Sequence, residues 1–158
     1  MLYLWMGLYA AGIVVLDQVT KYLTVSNIAL GHDVPAIEGL FHLTYVHNYG
    51  AAFSSFSGAR WLFVALFLAF LGLVIWEFST KKMPFTKLER WCIVSILAGG
   101  LGNVIDRLRL GYVIDMIEVD FVDFAIFNVA DCFITCGCIL LMVSLVFFNK
   151  KFWKEESK

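Results

Sequence analysis

Four long stretches without a charged side chain limit what this sequence can fold into. They are residues 1–16, 61–76, 91–105 and 132–149. A helix needs roughly 20 apolar residues to cross the hydrocarbon core of a bilayer, so each stretch predicts a membrane span that includes ionisable residues at its ends. We therefore expect an all-α membrane protein with four transmembrane helices, at about residues 1–22, 60–77, 89–107 and 124–148.

The composition excludes an ordinary water-soluble domain. Hydrophobic residues make up 61% of the chain and charged residues only 16%, whereas soluble domains have about 25% charged residues. The formal net charge of -1 provides no basic field to bind nucleic acid, so the partner implied is membrane lipid. We expect residues 1–158 to form a single integral-membrane domain that acts as a monomer.

The distribution of basic residues predicts the orientation of the spans. Eight of the twelve lie in the connection between the second and third stretches or in the C-terminal tail, which the positive-inside rule assigns to the cytoplasm. Both termini are therefore predicted to be cytoplasmic. Residues 1–16 are expected to be a retained span, because they lack the basic n-region and cleavage site of a secretory signal. The eight residues are Lys81, Lys82, Lys87, Arg90, Lys150, Lys151, Lys154 and Lys158.

Two segments, at about residues 22–59 and 108–123, are predicted to lie outside the cytoplasm. In the first, residues 41–46 alternate in polarity and favour β structure, which predicts a short strand or hairpin at the membrane surface. Three histidines of this segment, at positions 32, 42 and 47, permit a Ser-His-Asp triad with Ser54 or Ser55 to be drawn. No nucleophile-elbow sequence surrounds either serine, so we favour interfacial polar contacts for the histidines.

The four cysteines all fall within predicted membrane helices, which argues against a disulfide framework. Cys132 and Cys136 share a helical face, but no His or further Cys at suitable spacing completes a zinc site. We expect Cys92, Cys132, Cys136 and Cys138 to be small packing residues, and we expect no metal and no cofactor.

Two aspartates are the strongest candidates for chemistry. Asp131 is the only charged residue between Phe124 and Asn149, and an aspartate at the centre of a membrane helix costs about 2.5–3.5 kcal/mol. Counting from Phe124 places it about 10 Å along the helix, with Asn128 three residues earlier on the same face. Asp115 lies in the short outer connection, with apolar residues on both sides.

If Asp115 and Asp131 approach one another, repulsion and desolvation should raise the pKa of one of them, so that the pair shares a proton. This is the requirement of an aspartic protease, in which one carboxylate takes a proton from the attacking water and the other acid polarises the peptide carbonyl. The spacing alone leaves a second interpretation open. In that interpretation Asp131 pairs with Arg107 or an amide to hold the bundle together, and Asp115 is a solvated loop charge.

The third span combines small and polar residues. Ala98 and Gly102 form a small-xxx-small pair that lets another helix approach closely. Asn103 and Arg107 share one face at the outer end of the span, where bundle packing and a functional role are both plausible interpretations.

Three further charged residues at the outer ends of the spans are predicted to be structural. Asp17 and Lys21 are spaced as an i, i+4 pair, for which a surface salt bridge or a lipid-headgroup contact is the default expectation. Asp106 stands next to Arg107 in the third span.

Four sequence blocks in this order resemble the signal peptidase II family, the lipoprotein signal peptidases of the bacterial plasma membrane. They are DQVTK at 17–21, NYGAAFS at 48–54, GNVIDR at 102–107 continuing to GYVID at 111–115, and NVAD at 128–131. The resemblance implies an aspartic endopeptidase that cleaves prolipoproteins on the amino side of a diacylglyceryl-modified cysteine. It also implies a small extracytoplasmic β-cradle and a mobile outer segment. The counted depth of Asp131 agrees with a lipidated substrate that enters from the bilayer, so we expect the active site near the outer leaflet.

The resemblance assigns roles to individual residues. Asp115 and Asp131 match the catalytic pair, and the Asp17–Lys21 pair matches a structural one. The residues implied to position the substrate are Asn48, Asn103, Arg107 and Asn128, with Gly50 allowing close approach of the backbone.

Two other functions remain open at this stage. An intramembrane Asp131 would suit a four-span proton-coupled carrier, in which it would be a relay. A carrier needs a path to both faces, whereas the polar residues crowd toward the predicted outer side and the second span has none. In a non-catalytic assembly protein, Asp115 and Asp131 would serve stability alone.

Overall fold

The computed structural model describes residues 1–50, 56 and 58–154, with the side chain of Lys154 excepted. Four of its helical segments are long and apolar enough to cross a membrane, which confirms the number of predicted spans. In chain order the elements are α1 (Leu2–Asn27), β1 (Asp33–Ile37), β2 (Phe41–Asn48), α2 (Arg60–Thr80), α3 (Lys87–Arg109), β3 (Val113–Val119), α4 (Val129–Val143), a π-helical turn (Ser144–Phe148) and α5 (Lys150–Lys154).

Helix α3 is the centre of the bundle. In its most apolar 18-residue window 56% of the residues are buried, against 17% in each of the other three spans. Helices α1, α2 and α4 all pack on α3. The outward faces of these three helices carry exposed large apolar side chains such as Leu8, Leu68 and Leu140, as expected where a helix surface faces lipid rather than water.

Small residues of α3 allow its neighbours to approach closely. A Cβ atom added at Gly102 would lie 2.5 Å from Oδ2 of Asp17 in α1, and one added at Gly99 would lie 2.5 Å from the carbonyl oxygen of Ala130 in α4. Ala98 is 1% exposed. The close approach that the small-xxx-small pair predicts is therefore confirmed.

We expect Gly102→Ala to lower the free energy of unfolding by about 1–3 kcal/mol, the usual cost of overpacking. The added methyl group has to displace the Asp17 carboxylate, which is itself fixed by hydrogen bonds. Gly72→Ala in α2 is the matched control, because nothing lies within 4 Å of its added Cβ and Ala favours a helix by about 1 kcal/mol over Gly. Thermal unfolding of both variants in the same detergent micelles tests this, and equal midpoints would contradict it.

A three-stranded antiparallel sheet in the order β1-β2-β3 lies at one end of the bundle. The strand predicted at residues 41–46 is confirmed as part of β2, and the sheet confirms the β-cradle that the family resemblance implies. Strand β3 begins four residues after the last residue of α3, so it lies at the same end of the bundle as the C-terminal end of α3. Ile28, Tyr45, Ile114 and Met116 form a small apolar core between the sheet and the end of α1. We call this end of the molecule the sheet end.

The start of the fourth span was predicted wrongly. Helix α4 begins at Val129 rather than near residue 124, because the backbone of Phe127 pairs with Ile117 of β3 and Asn128 caps the helix. Asp131 consequently stands in the first turn of α4. The predicted depth of about 10 Å along the helix from Phe124 is therefore also wrong.

The opposite end of the bundle is closed by a buried carboxylate. Glu89 is 0% exposed and forms a capping box with Thr86, the N-cap of α3. Its carboxylate also accepts hydrogen bonds from Ser144 Oγ at 2.8 Å and Asn149 Nδ2 at 2.8 Å, which ties α3 to the π-helical turn. The Arg90 guanidinium lies 3.6 Å from Glu77 Oε1 nearby.

Candidate active site

The two candidate aspartates line one cavity of about 730 Å³ at the sheet end. Asp115 enters it from β3 and Asp131 from the first turn of α4. Apolar side chains form most of the remaining wall, with Phe63 and Phe67 contributed by α2 and Ile134 by α4. The cavity thus lies between α2 and α4 with α3 behind it, and it places both acids in an apolar environment.

A single asparagine connects the two acids. Asn128 is 0% exposed, and its Nδ2 atom donates to Asp115 Oδ1 at 2.7 Å. Its Oδ1 atom accepts from the backbone N–H of Asp131 at 3.0 Å, while its own backbone N–H donates to Asp131 Oδ2 at 3.1 Å. This reciprocal pair is the capping box of α4, with Asp131 in the position usually held by Glu or Gln. The cap that starts the helix therefore also fixes the orientation of both acids.

Two more asparagines complete the hydrogen bonding of the pair. Asn48 at the end of β2 donates to Asp115 Oδ2 at 2.8 Å, and Asn103 of α3 donates to Asp131 Oδ1 at 2.8 Å. Each carboxylate therefore accepts from two donors. The structure brings Asn48, Asn103 and Asn128 together at the acids.

The guanidinium of Arg107 donates hydrogen bonds to backbone carbonyl oxygens rather than to a carboxylate. Its Nη2 atom donates to the carbonyl oxygen of Gly50 at 2.8 Å, and its guanidinium lies over the ring of Phe63, 4.5 Å from the centroid. The backbone N–H of Gly50 in turn donates to Asn48 Oδ1 at 2.9 Å. Arg107 thus fixes the chain after β2 against α3. The alternative pairing of Asp131 with Arg107 is replaced by amide contacts to Asp131.

Asp115 is buried, so its interpretation as a solvated loop charge is wrong. Its side chain is 2% exposed. The pKa of Asp115 is raised to about 6; burial is the largest cause, the Asp131 charge acts in the same direction, and the hydrogen bonds from Asn48 and Asn128 oppose the rise. A carboxyl group with this pKa exchanges its proton near neutral pH, which is the property that general acid–base catalysis needs.

We expect Asp131→Asn to lower the pKa of Asp115 below about 6, because the variant removes a negative charge that raises it. Burial persists, so the value should stay above that of a solvated aspartate. The measurement is the intensity of the protonated carboxyl band in infrared difference spectra as a function of pH. The Asp115→Asn protein, which lacks this band, identifies it. A pKa that is unchanged or higher in Asp131→Asn would show that the two acids do not interact.

The default expectation of a surface contact for Asp17 and Lys21 is also wrong. Asp17 is 0% and Lys21 is 2% exposed. The Lys21 ammonium lies 2.9 Å from Asp17 Oδ2 and 2.8 Å from Asp106 Oδ2, and it also donates to Asn103 Oδ1 at 2.9 Å. The pair is buried because α3 supplies the third charge, and sequence spacing along α1 cannot show that partner.

Gln18 is a polar contributor that the sequence analysis missed. Its amide donates to Asp17 Oδ2 at 3.2 Å and to Asp106 Oδ1 at 3.0 Å, so it bridges the same two carboxylates as Lys21. Its position inside the DQVTK block is the signal that could have identified it.

The histidines and cysteines occupy different parts of the structure. His42 contacts Asp120 and Glu118 on the outer sheet, and the hydrogen bond to Asp120 is the main cause that raises the pKa of His42. Ser54 and Ser55 lie outside the described residues, as does part of the predicted mobile segment.

All four cysteines are free thiols, and Cys132 and Cys136 line the cavity. Within residues 1–50, 56 and 58–154 no group of three His, Cys, Asp or Glu side chains could hold a metal ion.

Comparison with known proteins decides the family. The family model described as signal peptidase (SPase) II matches residues 9–147. The chain belongs to the signal peptidase II family. The matched region includes both acids, the three asparagines and the buried charges around Lys21, so every part of the site described above lies inside it.

Similar members of the signal peptidase II family and similar solved structures cover nearly the whole chain. The lipoprotein signal peptidases of Streptococcus pyogenes serotypes M6 and M1 are each 48% identical over 145 residues, which span 91% of this chain and 90% of each relative. Two bacterial membrane enzymes solved by the in meso method are each 32% identical. Their TM-scores are 0.85 and 0.81, with 92% and 91% of this chain covered and 90% and 94% of theirs. The chain is thus a multi-pass membrane protein of a bacterial protease family.

Proposed function

We propose that this protein is an aspartic endopeptidase that removes the signal peptide from prolipoproteins, cleaving on the amino side of a diacylglyceryl-modified cysteine. One observation carries the proposal. Asp115 and Asp131 line the same apolar cavity and are fixed by three asparagine amides. Membership of the signal peptidase II family supplies the class of substrate.

The reaction uses one proton shared by the two acids. The ionised carboxylate accepts a proton from water as the water oxygen bonds to the peptide carbonyl carbon, and the protonated acid donates to the carbonyl oxygen. When the tetrahedral intermediate collapses, the C–N bond breaks and a proton passes to the departing amine. The amide donors from Asn48, Asn103 and Asn128 keep both acids in place through these steps.

The cavity fits a substrate that arrives within the membrane. A lipidated precursor brings an apolar leader and two acyl chains, and the wall formed by Phe63, Phe67 and Ile134 can bury apolar groups of this kind. The scissile bond then meets the acids where water is largely excluded, which strengthens their electrostatic effect on the transition state. Membrane lipid is therefore a partner in this proposal, and the enzyme acts as a monomer.

We expect Arg107→Ala to lower kcat/KM about 10- to 100-fold, chiefly by raising KM, because a hydrogen bond to a charged group contributes about 1.5–3 kcal/mol. The lost contact to Gly50 frees the chain beside Asn48, where the substrate backbone is proposed to lie. Arg107→Lys is the matched variant, which keeps the charge without the planar donor fork and should fall between the two proteins. Precursor affinity and single-turnover rates measured separately test this. If folded Arg107→Ala kept the affinity and the cleavage rate of the unmodified protein, Arg107 would contribute to bundle packing alone.

The orientation proposed is that both termini face the cytoplasm and the site lies near the outer leaflet. The basic residues that support it stand at the end of the bundle opposite the acids, with Lys81 and Lys82 after α2 and Lys150 and Lys151 in α5. A reporter that is active only in the cytoplasm, fused after Lys158, should be active. Cleavage of the tail by protease added to intact cells would reverse the orientation.

The deciding experiment compares two synthetic precursor peptides of identical sequence, one with the diacylglyceryl-modified cysteine and one without lipid. Purified protein in detergent should cleave only the lipidated peptide, on the amino side of the modified cysteine. Equal turnover of the two peptides would contradict the specificity for lipidated precursors, but it would still show that the protein is a protease. Absence of cleavage of both peptides by folded protein would favour the carrier or the assembly protein.

A further inference from the structure

Three buried charges at the sheet end, Asp17, Lys21 and Asp106, form one connected group with the partly buried amide of Gln18. We call this group the Lys21 cluster. Lys21 pairs with Asp17 within α1 and joins α1 to α3 through its ion pair with Asp106, and the Gln18 amide spans the same two carboxylates. A buried ion pair by itself contributes little net stability, because desolvation offsets the attraction. The remaining atoms of the Lys21 cluster make contacts close to the two acids.

The two carboxylates of the Lys21 cluster each hold the backbone next to one acid. Asp106 Oδ2 accepts from the N–H of Ile114, the residue before Asp115, at 3.2 Å. Asp17 Oδ1 accepts from the N–H of Ala130, the residue before Asp131, at 3.0 Å. Strand β3 and helix α4 are thus each fastened one residue away from their acid. The single ammonium of Lys21 links the two fastening points.

Lys21 also sets the orientation of an active-site amide. Its ammonium can only donate, and it donates to Asn103 Oδ1, as does the amide of Asn128 at 3.1 Å. With its oxygen held in this way, Asn103 must present its NH₂ group to Asp131. If the amide turned over, its oxygen would face a carboxylate oxygen, which is unfavourable.

We propose that Lys21 is a positioning residue for peptide hydrolysis, which acts through Asp17, Asp106 and Asn103 to fix the separation and hydrogen bonding of Asp115 and Asp131. This inference rests on the proposed protease function. Lys21 itself does not line the cavity and touches no substrate in this account. Its loss should therefore slow the chemical step while leaving precursor binding intact.

The test compares Lys21→Met with Arg90→Met. Arg90→Met removes the cation of the Glu77–Arg90 pair at the far end of the bundle, so it controls for loss of a partly buried, ion-paired cation without touching the site. We expect folded Lys21→Met to lower the single-turnover cleavage rate about 100-fold or more, which is the scale of a 1 Å misplacement of a reacting group. Precursor affinity should stay within about twofold of that of the unmodified protein, because the residues that line the cavity are unchanged. Arg90→Met should cleave at the unmodified rate when folded.

A second readout separates positioning from folding. Because the Lys21 charge lowers the pKa of Asp115, its removal should shift the Asp115 carboxyl titration to higher pH, whereas Arg90→Met should leave it unchanged. If Lys21→Met does not fold, Asp17→Asn and Asp106→Asn take its place, each weakening one fastening point. Full cleavage by folded Lys21→Met, or by both substitutes, overturns the inference. Failure of the unmodified protein to cleave the lipidated peptide would instead overturn the proposed function, and the inference with it.

Discussion

Asp115→Asn and Asp131→Asn are each expected to reduce cleavage of a lipid-modified precursor by about 10⁴-fold or more, the loss seen when one member of a catalytic unit is removed. Asparagine has nearly the same shape as aspartate, but it can neither accept the proton released by water nor hold the one given to the carbonyl oxygen. Both variants should fold and bind the leader, because the walls of the cavity are unchanged. Single-turnover cleavage, precursor affinity and thermal stability are measured on the same preparations.

The matched control is Asp123→Asn, which removes a charge from the exposed segment between β3 and α4 and should leave cleavage unchanged. The double variant Asp115→Asn/Asp131→Asn should be no slower than either single variant, because residues that act as a unit are strongly non-additive. Substantial cleavage by well-folded Asp131→Asn would eliminate the mechanism. Loss of activity only in proportion to loss of folded protein would show that the acids serve stability alone.

The spans could be predicted from the sequence because the membrane imposes a simple requirement of length and polarity on each helix. The start of α4 could not be predicted in this way. Residues 124–127 are apolar and so meet the requirement for a membrane span, although they are not helical. What decides the boundary is Asn128, whose side chain caps the helix, and Phe127, whose backbone pairs with Ile117. Both effects depend on partners that only the folded chain brings together.

Asp115 and Asp131 could be identified as candidates because a carboxylate beside apolar residues is costly. Their spacing alone left catalysis and a structural role open. The surroundings of the acids were less accessible to sequence reasoning. An i, i+4 pair such as Asp17 and Lys21 is usually a surface feature, and it becomes buried here because Asp106 of α3 supplies a second anion for the ammonium. Local spacing reports contacts within one helix, whereas this site is built from contacts between α1, α3, β3 and α4.

We expect Asn128→Ala to cause the largest loss of stability among single substitutions at the site, about 1.5–5 kcal/mol of unfolding free energy. Loss of an N-cap costs about 0.5–2 kcal/mol, and leaving buried polar groups without partners adds about 1–3 kcal/mol. The capped group is the backbone N–H of Asp131, and the buried acceptors that lose a donor are Asp115 Oδ1 and the carbonyl oxygen of Ile114. Asn103 Oδ1 keeps its contact to Lys21. Cleavage should also be lost, because one hydrogen bond that orients Asp115 disappears.

Two comparisons separate the cap of α4 from the role of Asn128 at the acids. Thr86→Ala removes the capping box of α3 at the far end of the bundle, so it should cost about 1 kcal/mol and keep cleavage intact. Asn128→Asp retains an oxygen that can cap the helix, but it replaces the amide donor to Asp115 with a third negative charge. This variant should therefore recover part of the lost stability at low pH, where carboxyl groups are protonated, and still fail to cleave. Denaturation in micelles across pH, with cleavage assayed in parallel, measures both effects. Equal stability losses for Asn128→Ala and Thr86→Ala would show that Asn128 is an ordinary cap, and an active Asn128→Asp protein would show that its amide donor is dispensable.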